Sequence, residues 1–240
     1  MGDDARVLHV MNDGFQIAYE VAGRGTGRGF LFPQSKVGWG RMGYVEALKD
    51  LGKVLVVDPR GYGESSRARS AGAYSLDAFC DDLLAAADAV GLEEFVAWGY
   101  SNTAALATAL AAKSDRVVGL VCAGMDPLLD FTSFMSHIDD EARAVGEGDY
   151  LPDGQFDWRA ARAFYRDYAE FQSRLPAKLD IPAALVFGSE DALVAPSVSR
   201  NRQRLEEMGF VVRAADGYDH QSCVEAADVV IGLAGSVIGV

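Results

Sequence analysis

A chain of 240 residues that is 50% hydrophobic and 24% charged carries enough apolar material for one sizeable core, and its length fits a single domain better than two. That content excludes intrinsic disorder, and 26 glycines and 7 prolines without a period exclude a collagen-like fibre. A formal charge of −13 repels phosphate backbones and anionic lipid, so neither nucleic acid nor a membrane is an expected partner.

In chain order, Arg6 to Val10 and Phe15 to Val21 bracket an Asp13-Gly14 turn and predict an antiparallel hairpin. A polar loop from Gly23 to Gly29 leads into the short strand Phe30 to Phe32, then a helix around Met42 to Leu51. Val54 to Val57 reads as an interior strand covered on both faces. Tyr74 to Val90 is the best helical pattern, with Ser75 as its cap, apolar residues at i, i+3, i+4 spacing and Gly91 at its end. Strands follow at Phe95 to Trp98, Val117 to Ala123, Ile181 to Phe187 and Phe210 to Ala214. Helices are expected at Ala104 to Lys113, from about Ser197 to Met208, and from Ser222 to the end. Short strands alternating with longer helices predict an α/β fold with a mostly parallel sheet.

Between Asp126 and Asp180 strand runs vanish and nine aromatics gather, from Phe131 to Phe171. A helical, aromatic insertion after a strand reads as a cap over the sheet edge, with at least two rings lining a pocket. The expected division is a core of residues 1–127 and 181–240 and a cap of residues 128–180. The cysteines, Cys80, Cys122 and Cys223, are too few and too scattered for a disulfide framework or a zinc site. An acidic N-terminus without a signal-like apolar run, and no uncharged run long enough to span a bilayer, lead to the expectation of a soluble cytoplasmic protein.

The strongest chemical signal is Gly99-Tyr100-Ser101-Asn102-Thr103, where a strand ends, a serine occupies the turn and a small-residue helix begins. Such a turn presents the Ser101 hydroxyl above the sheet, with the amide of Asn102, at the helix N-terminus, directed where an oxyanion would form. A serine hydroxyl needs a base. Of the three histidines, His9 alternates within the first strand and His137 lies in the aromatic insert. His220 follows the last strand, on the edge where parallel sheets place ligands, and is the favoured base. Asp191, in Gly188-Ser189-Glu190-Asp191, is the favoured acid, and Asp126 is a rival from the same edge. The order Ser101, Asp191, His220 is that of a hydrolase triad on an α/β sheet.

On these motifs, together with Asp58-Pro59-Arg60-Gly61-Tyr62-Gly63-Glu64-Ser65, the chain resembles the α/β-hydrolase fold superfamily over nearly all of its length. The D-x-R-G-x-G-x-S match reads as a scaffold turn with a buried Arg and Asp. The resemblance implies a mostly parallel central sheet, flanking helices and a small helical cap, and a second oxyanion donor after the third strand. Relatives carry His-Gly there; this chain reads Phe32-Pro33-Gln34, and Pro33 has no N–H, which leaves the backbone of Gln34 as the expected donor. Thr103 in place of the usual glycine is a second departure, expected to shift the turn slightly.

The implied activity is a serine hydrolase cleaving a small hydrophobic carboxylic ester or lactone through an acyl-enzyme, with no metal or organic cofactor. The alternative is a carbon–carbon bond hydrolase, lyase, cyclase or cofactor-free oxygenase of the same fold, motivated by the Phe32-Pro33-Gln34 departure. A third reading, a binding protein that uses the pocket without turnover, has no need of three aligned groups.

Overall fold

The computed structural model describes residues 6–25, 28–132 and 157–240. Among them an eight-stranded sheet runs in the order β1-β2-β4-β3-β5-β6-β7-β8. The strands are β1 (Leu8–Asn12), β2 (Phe15–Ala22), β3 (Gly29–Pro33), β4 (Val54–Asp58), β5 (Phe95–Tyr100), β6 (Val117–Ala123), β7 (Ala183–Gly188) and β8 (Phe210–Ala215). The first pair is the expected hairpin, because Asp13 (φ 49°) and Gly14 (φ 81°) both adopt the left-handed geometry that a tight turn between twisted strands requires. β2 also pairs antiparallel with β4, and the pairings from β4 through to β8 are parallel. The carboxyl ends of those parallel strands share one edge.

Every residue of β3, β4, β5 and β7 is buried, as two-sided coverage demands. Successive side chains take opposite faces. Leu31 and Leu55 join the core formed with α2 (Leu76–Ala89), α3 (Asn102–Lys113) and α5 (Val194–Glu207). Phe30, Phe32 and Val54 join the second core, against α1 (Tyr44–Leu48) and α7 (Ala227–Ile238). Between α3 and α5 in the chain lies α4 (Trp158–Gln172), whose Phe164 and Tyr168 pack into the first core.

Two boundaries differ from the sequence pattern in ways that bear on the site. The helix expected from Ala104 begins at Asn102, directly after Ser101. The closing helix is two helices, α6 (His220–Glu225) and α7, because Ala226 (φ −92°, ψ 64°) leaves helical geometry between them. α6 starts early because Asp219 and Ser222 form a reciprocal capping box, which brings His220 into the first turn instead of the preceding loop. No helix among the described residues is long and apolar enough to cross a membrane.

The Asp58-to-Ser65 turn is a buried scaffold, as expected. Arg60, only 2% exposed, makes a bidentate pair with the fully buried Asp82 of α2 and stacks 4.3 Å from the Phe15 ring centroid. The Gly61 carbonyl accepts the Asp157 N–H at 2.8 Å, and the Asp157 carboxylate caps α4 while accepting the Tyr74 hydroxyl. The return from the insert is thus tied to the scaffold turn.

Candidate active site

Ser101 sits where β5 passes into α3, with φ 54° and ψ −129°, a conformation that costs a non-glycine residue about 1–3 kcal/mol and persists only where its surroundings impose it. The surroundings are close. A Cβ on Gly99 would stand 2.2 Å from the Thr103 carbonyl oxygen, so strand and helix cross with no side chain between them. The Ser101 N–H donates to the Ala123 carbonyl of β6. Asn102 and Thr103 open α3, where helix geometry provides no carbonyl four residues back for their amides.

Thr103 ties the turn together. Its hydroxyl accepts from the Tyr100 N–H and donates to the Tyr100 carbonyl, both at 2.8 Å. β3 pairs with β5 only as far as Ala97, so Tyr100 has no neighbouring strand on that side. The threonine hydroxyl replaces the missing ladder bonds.

The His220 Nδ1 lies 2.6 Å from Asp191 Oδ2. Asp191 is 2% exposed, and its other oxygen accepts the amides of Leu193 and Val194 at the start of α5. A carboxylate at Nδ1 holds the ring proton there and leaves the Nε2 lone pair available. The backbone carbonyl of His220 accepts the Tyr100 hydroxyl at 2.7 Å, and the two rings stand 5.3 Å apart edge to face. Burial pushes the Tyr100 hydroxyl well up, which keeps it a donor. Tyr100 was legible only as the unspecified residue of the serine motif, and its support of His220 had no sequence signal.

Asp126 does not meet His220. Fully buried, it accepts the Ser197 hydroxyl and the Asn201 amide of α5 through one oxygen and the Leu128 N–H through the other. His9 is exposed on β1, and His137 lies outside the described residues.

Ser101, Asn102, Asp191 and His220 line one cavity of about 420 Å³. Its apolar wall includes Met125, Leu193 and two rings of the aromatic insert, Phe131 and Tyr165. Phe131 also belongs to the buried core, together with the insert's Phe164 and Tyr168, which do not line the cavity. Among the described residues no cluster of three His, Cys, Asp or Glu side chains is arranged to hold a metal ion.

Gln34 departs from its expected role. Its N–H extends the β3–β4 ladder by donating to the Val57 carbonyl at 2.7 Å, so that donor is already engaged. The residue is 2% exposed, in left-handed geometry (φ 63°), and belongs to the lining of neither cavity that touches Ser101. The next amide, of Ser35, donates to Asp58 at 2.7 Å, as does the Ser35 hydroxyl. Burial pushes the Asp58 carboxyl up, and these two hydrogen bonds hold it partly down.

Residues 32–209, well over half of the chain, match the model of a family described as the alpha/beta hydrolase fold. Compared by sequence with curated proteins, the chain finds no match. Among solved structures it is similar to an epoxide hydrolase from Vigna radiata (TM-score 0.76, 14% identity, covering 100% of this chain and 99% of that one). It is also similar to a thermophilic esterase from Thermogutta terrifontis (TM-score 0.74, 20% identity, covering 98% and 100%). A third is E-2-(acetamidomethylene)succinate hydrolase (TM-score 0.71, 18% identity, covering 98% and 100%). Identities this low speak for the fold alone, while the family match extends through both Ser101 and Asp191. The chain is an enzyme of the α/β-hydrolase fold family.

Proposed function

We propose that this enzyme is a serine hydrolase that cleaves a small, hydrophobic carboxylic ester or lactone through an acyl-enzyme. One observation carries the proposal: Ser101, in a strained turn, and His220, held at Nδ1 by Asp191, face the same largely apolar cavity. In the first half of the reaction Ser101 Oγ bonds to the carbonyl carbon and its proton passes to His220 Nε2. The imidazolium, stabilised by Asp191, returns that proton to the alkoxide as the carbon–oxygen bond of the ester breaks. Water then attacks the acyl-enzyme, losing its proton to His220, and the serine leaves with it. The Asn102 amide and the α3 dipole stabilise the oxyanion. The Gln34 amide has no part, because β4 holds it. Residues 128–180 act as the cap, with Phe131 and Tyr165 setting the preference for apolar groups.

A fluorophosphonate probe is expected to label the native protein at Ser101 and to leave Ser101→Ala unlabelled. Equal labelling of the two would remove Ser101 as the nucleophile.

One observation favours a second reading, a carbon–carbon bond hydrolase, lyase, cyclase or cofactor-free oxygenase. With the Gln34 amide held by β4 and the Ser35 amide by Asp58, the second oxyanion donor that the family resemblance implies after β3 is not supplied by Gln34. In that case Ser101→Ala retains partial turnover of the true substrate while His220→Ala abolishes it.

A further inference from the structure

His220 opens α6, a helix of only six residues, and its side chain is 41% exposed. A half-exposed ring on so short a helix is kept in line by its contacts, because the helix is too short to be rigid by itself. One contact is Asp191 at Nδ1. The others come from a single residue, Tyr100, whose hydroxyl donates to the His220 carbonyl at 2.7 Å and whose ring meets the imidazole at 5.3 Å.

Tyr100 is itself fixed. It is 3% exposed, and the Thr103 hydroxyl binds both its N–H and its carbonyl. Its ring fits only because position 124 has no side chain: a Cβ on Gly124, which has φ 58°, would overlap the ring and stand 2.8 Å from the hydroxyl oxygen. Tyr100 borders the second, smaller cavity at Ser101, of about 270 Å³, which Arg41 also lines. The far end of α6 is tied in the same way but away from the reacting groups, where the buried Tyr44 of α1 donates to the Val224 carbonyl at 3.0 Å.

We infer that Tyr100 is a positioning residue, which holds the main chain and ring of His220 in register with the turn that carries Ser101. A ring held at Nδ1 alone can pivot about that hydrogen bond and carry Nε2 away from the serine. Tyr100, the residue next to Ser101 in the chain, closes that freedom, so base and nucleophile move as one body. Proton transfer falls off steeply with misplacement of either group. This role deepens the hydrolase proposal and rests on it, since His220 is taken as the base for Ser101.

Tyr100→Phe and Tyr44→Phe each remove one oxygen and one hydrogen bond to an α6 carbonyl without adding volume, so urea unfolding is expected to show two folded proteins of similar midpoint. The second-order rate of fluorophosphonate labelling at Ser101 is expected to fall about tenfold in Tyr100→Phe. In Tyr44→Phe it stays within about twofold of native. Replacing Tyr100 with 4-aminophenylalanine, which restores a donor at the ring's far end, recovers most of the rate. In a His220→Ala background Tyr100→Phe adds no further loss, because the group it positions is gone. In the nuclear magnetic resonance spectrum of protein with isotope-labelled histidine, the His220 ring signals, identified by their loss in His220→Ala, are expected to broaden in Tyr100→Phe and not in Tyr44→Phe. An unchanged rate in Tyr100→Phe, an equal loss in Tyr44→Phe, or the same loss with and without His220 overturns the positioning role. The two claims fail separately. If the native protein is not labelled at Ser101 while the ring signals broaden in Tyr100→Phe alone, the hydrolase reading falls and the positioning of His220 stands. If Ser101 is labelled equally fast in native protein and Tyr100→Phe, the hydrolase reading stands and the positioning role falls. No labelling together with unchanged ring signals removes both.

Discussion

Asp191 and Asp126 follow adjacent strands at the same edge, and the sequence left both open as partners of His220. What separates them is the neighbour each meets. Asp126 is saturated by Ser197, Asn201 and the Leu128 amide, whereas Asp191 keeps one oxygen for His220 Nδ1. Asp191→Asn is therefore expected to lower kcat/KM for an ester by about 10³-fold or more, because an amide nitrogen at Nδ1 selects the wrong tautomer. Asp126→Asn is expected to leave kcat/KM little changed and to lower the unfolding free energy by about 1–3 kcal/mol. Ester kinetics and urea unfolding on both variants check the pair; a larger kinetic loss in Asp126→Asn would reverse the assignment. Thr103 makes a second case. Thr103→Val keeps the shape but strips the Tyr100 N–H and carbonyl of their partner, at a cost of about 1–3 kcal/mol in urea unfolding. No change would show that the hydroxyl is not needed there. The triad candidates were legible as residue types at strand ends. The engagement of the Gln34 amide was not, because it depends on β3 pairing with β4 one residue beyond its apolar run.

The elements were legible where local chemistry decided them. Ser75 does cap α2, its side chain accepting the Ala78 N–H, and Val117–Ala123 is a strand with the expected ends. The split of the closing helix was not, since the apolar spacing runs through Ala226 and only the dihedrals there break it. What joins elements was legible in outline, as a buried Arg and Asp in the turn after β4, but the partner of Arg60 on α2 was not. Asp82→Asn removes the buried counter-charge of Arg60 and leaves it only the exposed Asp13 at 3.2 Å, so it is expected to cost about 3 kcal/mol in urea unfolding. The double change Arg60→Met with Asp82→Leu is expected to be milder than Asp82→Asn, because no charge is left buried alone. A double variant worse than the single one would show that the turn needs the ion pair itself.

At the scale of the molecule, the antiparallel start and the shared carboxyl edge followed from the turn signal and the apolar runs. The interchange of β3 and β4 across the sheet did not, because strand order is set by which crossovers pack and leaves no mark in any one segment. The same two-sided burial that makes the strands continuous also encloses the three thiols. Burial pushes Cys80 and Cys122 up to about 12, and Cys223 is raised as well. A disulfide thiol reagent at pH ~8 is therefore expected to label none of the three in the folded protein and all of them in urea. Rapid labelling of any thiol without denaturant would reveal an opening short of global unfolding.

The crossing of β5 and α3 at Gly99 leaves less than a methyl group's width between two backbones. The reactive turn consequently has no slack in which substitutions could accumulate, and altered selectivity has to be written elsewhere. Met125 and Leu193 on one side and Arg41 on the other offer that freedom, since each borders the reaction centre without bearing on the backbone that shapes it. Libraries that randomise those walls and spare the crossing are where new substrates are to be found.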